Sequence, residues 1–180
     1  MHHRHLGRLV FVVLVVALVG ISAWSAPLMP GGQTLLPDVY SLAEIHKLRL
    51  EVNPFPPALG KFDTTPQTLR DSWAKVLTDA GFEIVEPADT EDESLPTLGL
   101  QFMTAVDDAF PDALGFCAVM TLEQPVSLER IEYHMPATTF SSYAVGLEKK
   151  ENVRKAIESS VENLARHFIG SQRQTQNAGR

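Results

Sequence analysis

A long apolar run near the N-terminus differs from the alternating patterns of the rest of the chain. The run covers residues 9–23 and follows a short head that carries Arg4 and Arg8. It matches the core of an export signal and is shorter than the roughly 20 residues that a transmembrane helix needs. Counting on to Met29 gives a stretch long enough to span a bilayer if no cleavage occurs. We therefore expect residues 1–26 to be a signal peptide or an N-terminal membrane anchor.

Apolar spacing predicts the first elements of a folded domain after this segment. Residues 46–52 alternate between apolar and charged positions, as in a strand with one buried face. Thr65 followed by Pro66 is a strong helix start, because the threonine side chain caps the first turn and proline fits the first helical position. We expect this helix to close at Gly81 in a left-handed conformation, and residues 82–86 to form a short strand.

Two longer alternating runs predict an antiparallel hairpin over residues 97–106 and 113–124. We expect a bulge or bend at Pro125, followed by a short continuation. A break is expected at residues 134–136, since proline cannot donate a hydrogen bond to a ladder. Residues 137–147, which are rich in threonine and aromatic residues, predict another strand.

The clearest helical pattern covers residues 150–170, where apolar residues recur every three to four positions. Gly170 is expected to end this helix, and residues 171–180, which have no apolar anchor, to form a disordered tail. The order β-α-β-β-β-α predicts an α+β two-layer sandwich, in which a mainly antiparallel sheet of four or five strands carries two helices on one face. We expect a linker over residues 27–44 and a single domain over residues 45–170.

The charge balance narrows the classes of partner. The chain has 15 lysine and arginine residues against 22 aspartate and glutamate residues. Without Arg4 and Arg8, 13 basic residues face the same 22 acidic ones, a formal charge of −9. Such a domain repels phosphate backbones and anionic lipid, so we expect no nucleic acid partner, and membrane contact only through residues 9–29 if they stay uncleaved. The domain is expected in the periplasm or outside the cell.

Cysteine usage and motifs limit the chemistry. Cys117 is the single cysteine, so no internal disulfide can form, and no cysteine follows the apolar run to carry a lipid. Its apolar surroundings predict a buried structural thiol. No nucleophile elbow, phosphate loop, zinc spacing or dinucleotide fingerprint occurs, so we expect no catalytic residue, metal site or cofactor. Glu129, Glu132 and His134 lie close together, but a solvated strand face is the simpler interpretation.

Two acidic runs and three scattered histidines are further candidates for a functional site. Oxygen-rich loops can hold calcium, but the first run lacks the glycine and alternating spacing of a calcium-binding loop, and solvated loops explain both runs. The histidines are far apart in the sequence and are expected at the surface. The residues concerned are Asp89, Glu91, Asp92 and Glu93; Asp107, Asp108 and Asp112; and His46, His134 and His167.

The second face of the predicted hairpin is the most informative surface. A solvent-facing side of a sheet normally carries charged residues and threonine, whereas this side is small and semi-apolar. We expect either the lead segment or a partner protein to cover it. The candidate partner-facing residues are Gln101, Met103, Ala105, Cys117, Val119 and Thr121.

The element order resembles a bacterial envelope module, the small α/β domain of the penicillin-binding-protein activator lipoproteins and of the TolB N-terminal domain. The segments that carry the resemblance are LRLEV, LRDSWAKVLTDAGFEIVE, the hairpin LGLQFMTAV with ALGFCAVMTLEQ, and VRKAIESSVENLARHFI. The resemblance lies in the architecture and rests on no diagnostic motif. It implies an envelope domain that binds a partner protein and catalyses no reaction.

Three functional hypotheses follow. The first is a non-enzymatic exported protein that binds another envelope protein, as an accessory subunit of a membrane-associated complex. The second is a carrier of a small apolar ligand, held between sheet and helices by aromatic residues. The third is a hydrolase or metal-dependent enzyme that uses Glu129, Glu132, His134 or the acidic loops. The aromatic residues of the second hypothesis are Trp73, Phe102, Phe116, Phe140 and Phe168.

Overall fold

A computed structural model describes residues 35–86 and 94–178 of the chain. Eight helices and strands follow one another within these ranges, together with two single 3₁₀ turns at Leu59–Lys61 and Glu129–Ile131. The eight elements are α1 (Pro37–Tyr40), β1 (Lys47–Val52), α2 (Pro66–Asp79), β2 (Glu83–Val85), β3 (Thr97–Ala105), β4 (Ala113–Leu128), β5 (Tyr133–Lys149) and α3 (Val153–Ala178).

The strands form one mixed sheet in the spatial order β2-β1-β3-β4-β5. β1 pairs in parallel with both β2 and β3, while β3–β4 and β4–β5 are antiparallel. Two parallel strands side by side need a crossover, and α2 supplies it between β1 and β2. The predicted α+β class with a five-stranded sheet is confirmed, and the parallel strands make the sheet more mixed than expected.

The hydrophobic core lies on one side of the sheet, where α2 and α3 pack. Alternate residues of each long strand point into it, and Leu48, Leu98 and Met120 are fully buried there. Phe168 of α3 joins the layers, since its ring centroid is 5.5 Å from that of Phe82 and 5.9 Å from that of Phe140. Both helices therefore contribute to the same core.

Local sequence signals set the ends of α2 as predicted. The Thr65 hydroxyl accepts a hydrogen bond from the Thr68 backbone N–H at 3.1 Å, and the Thr68 hydroxyl accepts one from the Thr65 N–H at 3.0 Å. This reciprocal capping box satisfies two backbone donors that a helix start leaves unpaired. Gly81 follows the helix with φ of +102°, which is the left-handed conformation that glycine adopts without strain.

The predicted linker over residues 27–44 is wrong for its second half. Residues 35–44 pack on the domain, with Leu35 8 % exposed and Leu42 fully buried. The Ser41 hydroxyl donates to the Thr139 carbonyl at 3.1 Å, and the Gln124 side chain donates to the Ser41 carbonyl at 2.9 Å. These two bonds attach the segment to β4 and β5. The other half of the predicted linker lies outside the described residues.

The expected bend at Pro125 and break at residues 134–136 are wrong. β4 continues through Pro125, which lies opposite Pro136 in the ladder. Proline has no backbone N–H to donate. Because the two prolines lie opposite each other, both missing donors fall in one residue pair, and the strands stay paired on either side of it. The irregularity lies instead between Leu122 and Glu123, opposite Thr139.

The predicted end of the last helix at Gly170 is also wrong. α3 continues through Gly170 to Ala178, so most of the expected disordered tail is helical. Polar side chains are buried here: Gln172 is 3 % exposed and donates to the Ile45 carbonyl at 3.4 Å, and the Thr175 hydroxyl donates to the Gln172 carbonyl at 2.7 Å. Tertiary contacts thus stabilise two turns that hydrophobic spacing did not predict.

The described helices can be compared with the length and hydropathy that a membrane span requires. Within residues 35–86 and 94–178, no helix meets both requirements. The predicted export segment over residues 1–26 lies outside the described residues.

Candidate functional site

The surface of greatest interest is the side of β3, β4 and β5 that faces away from α2 and α3, here called the outer face. Strand pairing arranges its side chains in rows that run across the three strands. One row contains Met103, Cys117 and Val145, since Cys117 pairs with both of the others. The neighbouring rows are Gln101–Val119–Tyr143 and Ala105–Gly115–Leu147.

None of the nine residues in these three rows carries a charge. The largest side chains are also the most exposed: Tyr143 and Val145 expose 74 %, Leu147 75 % and Met103 52 %. Alternation along each strand forces these residues to one side, because successive side chains point to opposite faces. Exposed apolar patches of this kind are uncommon on monomeric soluble proteins and are a frequent feature of interaction sites.

The patch extends beyond the sheet at the turn between β3 and β4. Val106 is 63 % exposed and Phe110 is 67 % exposed at this turn. A shallow depression runs from the turn onto the outer face, because Gly115 has no side chain to fill the space between Ala105 and Leu147. This depression is apolar and open, which suits a side chain from a docked surface.

The six predicted partner-facing residues all lie on the outer face. Gln101, Met103 and Ala105 of β3 are exposed because β1 pairs only with residues 97–100 of this strand. The β4 residues are half-buried because β3 and β5 flank them on both sides. Cys117 is one of these half-buried residues and is a free thiol. The predicted buried structural thiol is therefore wrong, since Cys117 points away from the core.

Tyr143, Val145 and Leu147 were missed from the sequence, although they are the most exposed part of the patch. Residues of the opposite parity in β5 are small, including Ala144 and Gly146. Judged by side-chain size alone, Tyr143, Val145 and Leu147 would be expected to point into the core. The structure does the reverse, because the ring of Phe116 already occupies the space beneath Gly146.

The candidate catalytic residues do not form a site within the described ranges. Glu129 lies in a 3₁₀ turn, Glu132 follows it with φ of +50°, and His134 lies on β5. All three side chains are exposed. Among residues 35–86 and 94–178, no group of three histidine, cysteine or acidic residues is placed to hold a metal ion.

The other titratable candidates are distributed over the surface. All three histidines are exposed: His46 precedes β1, His134 lies on β5 and His167 lies on α3. Asp107 caps the turn between β3 and β4, where its carboxylate accepts from the Ala109 N–H at 2.8 Å. Asp108 and Asp112 are exposed at the same turn. The first acidic run, residues 89–93, lies outside the described residues.

The charged pairs of α3 belong to the solvent side of the helix layer. The Arg154 guanidinium donates to Glu158 at 2.9 Å, and this hydrogen bond raises the pKa of Arg154 above its ordinary value. Arg166 donates to Glu162 at 2.6 Å in the same i,i+4 arrangement. Such pairs make the helix surface polar and contrast with the three uncharged rows of the outer face.

The aromatic residues proposed to bind an apolar ligand are all buried in the core. Trp73, Phe102, Phe116, Phe140 and Phe168 are each at most 3 % exposed. The rings of Phe102, Phe140 and Phe168 pack on other rings; for example, the Phe102 and Phe55 centroids are 5.3 Å apart in an edge-to-face contact. Their environment is that of core packing.

Comparison with known proteins shows similarity to solved structures but to no family model or curated protein. Among solved structures, a minor lipoprotein from Acinetobacter baumannii is similar at 16 % identity and a TM-score of 0.37, over 72 % of this chain and 93 % of that one. Rare lipoprotein B from Shewanella oneidensis gives 11 % identity and a TM-score of 0.37, over 72 % of this chain and 96 % of that one. Both TM-scores are below 0.5, so the lipoprotein names describe those proteins alone.

Proposed function

We propose that this chain is an exported, non-enzymatic protein that binds another envelope protein through its outer face, as an accessory subunit of a membrane-associated complex. The observation that carries the proposal is the uncharged patch on β3, β4 and β5. Exposed apolar area of this kind is unfavourable in water, and a docked protein surface would remove it.

The composition of the patch supports a protein partner. Interface cores are depleted in charged residues and enriched in aromatic residues and methionine, and Tyr143 and Met103 are of these types. Both side chains are more than half exposed and have room to insert into a partner. The open depression at Gly115 offers the complementary pocket for a side chain from the other protein.

The exported location rests on the apolar run over residues 9–23 and the basic residues before it. We expect an alkaline phosphatase reporter fused after Arg180 to be active, because this enzyme needs an oxidising compartment to form its disulfides. Activity would be measured in whole cells against a control that lacks residues 1–26. An inactive fusion present at normal abundance would contradict export.

Docking can be tested by site-specific photo-crosslinking in cells. A photoreactive amino acid at Met103 is expected to give an adduct with one envelope protein, and Ala105→Lys in the same chain to reduce that adduct roughly tenfold or more, because a charge would be buried in an apolar contact. Ala105 is exposed, so the monomer tolerates the lysine. Adduct yield is measured by immunoblot and its identity by mass spectrometry.

The matched control places the same charge outside the patch. Ile131 is 59 % exposed in the turn before β5, so Ile131→Lys should leave the adduct from position 103 unchanged. Equal yields from all three chains, or no adduct at position 103 in exported protein, would refute docking through the outer face.

A further inference from the structure

The two edges of the sheet are protected to different extents. β2 forms one edge and has only three residues, Glu83–Val85. Its exposed Glu83 lies 2.9 Å from Lys47 in an ion pair on the neighbouring strand. Short length and charge are common devices that prevent an edge strand from pairing with another chain.

β5 forms the other edge, and such devices occur in its first half and at its last two residues, Glu148 and Lys149. The first half contains Pro136 and the irregularity at Thr139, and the Ser41 hydroxyl, which follows α1, donates to the Thr139 carbonyl. Beyond this point, residues 140–147 contain neither a charge nor a proline. No strand within the described residues pairs with this side of β5. A regular, uncharged edge of this kind is a template for another strand.

We propose that a second copy of this chain pairs with this edge, antiparallel and about a two-fold axis at Val145. The pairing uses the backbone edge of β5 and does not depend on the proposed function, although the side chains of Tyr143, Val145 and Leu147 also belong to the outer face. Residues 141–149 of each copy would form a ladder of about 30 Å at roughly 3.3 Å per residue. This length exceeds that of a typical strand, which is about 17–20 Å.

The register follows from parity and from the protected half of the strand. A two-fold axis perpendicular to the sheet keeps both outer faces on one side, so each residue pairs with one of the same parity. Centring at Val145 gives a nine-residue ladder, 141–149, that avoids the irregularity at Thr139; a centre at Ala144 gives equal length, 140–148, but brings Phe140, next to that irregularity, into the pairing. A centre at Tyr143 would draw Thr139 and the α1 segment into the pairing, while one at Leu147 would leave a much shorter ladder.

This register is also self-complementary in its side chains. Val145 lies opposite its own copy, and Tyr143 of each copy lies opposite Leu147 of the other. Cross-strand pairs of aromatic and aliphatic residues stabilise antiparallel pairing. Lys149 lies opposite Ser141 of the other copy, so no like charges face each other across the ladder.

The overall charge is compatible with this dimer because the acidic regions are kept apart. Asp107, Asp108 and Asp112 lie at the turn beside the C-terminal end of β5, where the Lys150 N–H donates to the Asp112 carbonyl at 2.9 Å. Antiparallel pairing places the two acidic turns at opposite ends of the dimer. The apolar rows of the two outer faces meet at the axis and form one surface.

The test is the mass of full-length protein in density-matched detergent, measured by sedimentation velocity. We expect the wild type to be a dimer, and Val145→Lys and Val145→Glu each to raise the dimer dissociation constant roughly tenfold or more, because like charges would face each other. Val145 is 74 % exposed, so neither change should affect folding, which circular dichroism verifies.

Mixing the two variants tests whether residue 145 of one copy lies opposite residue 145 of the other. The Val145→Lys and Val145→Glu chains together should form a dimer, since the opposite charges then pair across the axis. Ala105→Lys lies two strands away and should stay dimeric, which separates this interface from docking on the outer face. A monomeric wild type, a dimer unaffected by either charge, or a mixture that stays monomeric would overturn the proposal.

Discussion

Replacing Phe168 with alanine is expected to lower the free energy of unfolding by about 3–5 kcal/mol, the range for removal of a large buried ring. Phe168 is fully buried, and its ring contacts those of Phe82, after α2, and Phe140, on β5. The cavity would thus open where the two helices and the sheet meet. Urea denaturation followed by circular dichroism measures the change from the transition midpoint.

Phe110→Ala is the matched control for this substitution. Phe110 is 67 % exposed at the turn between β3 and β4, so the same truncation should change the free energy of unfolding by no more than about 0.5 kcal/mol. Equal effects at Phe168 and Phe110 would contradict the described core.

The second large effect is expected from a single added methyl group at Gly146. A Cβ at this position would lie 2.5 Å from Cε1 and Cζ of Phe116, whose ring is itself buried in the core. Gly146→Ala should therefore destabilise the fold by roughly 1–3 kcal/mol, as overpacking does. The thermal or urea midpoint of the variant measures the loss.

The same change at Gly170 should have the opposite sign. Gly170 lies inside α3 and is exposed, and a Cβ there would meet no atom within 4 Å. Gly170→Ala should stabilise by up to about 1 kcal/mol, because alanine is the better helix former. If the loss at Gly146 persists unchanged when Phe116→Leu is also present, a clash with the Phe116 ring is not its cause.

The elements predicted best from the sequence are those whose signals are local. The start of α2 is set by Thr65 and Pro66, and its end by Gly81, all of which act within one turn of the helix. The hairpin of β3 and β4 was predictable for a similar reason, since alternation fixes both the strands and the residues that share a face.

The errors arise where tertiary contacts override a local signal. α3 passes Gly170 because Gln172 and Thr175 find partners that no sequence pattern shows. β5 begins before Pro136 because Pro125 lies opposite it. The outer face was half predicted: its β3 and β4 residues follow from alternation, whereas Tyr143 requires knowledge of which side of β5 the Phe116 ring fills.

The position of β1 between β2 and β3 has a consequence for the order in which the chain assembles. β1 is synthesised early, yet it lies between β2 and β3, and its Arg49 pairs with Thr97 far along the sequence. Consecutive elements are joined by short loops and can pack as soon as they are made, as in the series β3, β4, β5 and α3. Contacts between distant segments form more slowly than local ones. The pairing of β1 with β3 is therefore expected to be the slowest step of sheet formation when the chain emerges N-terminus first.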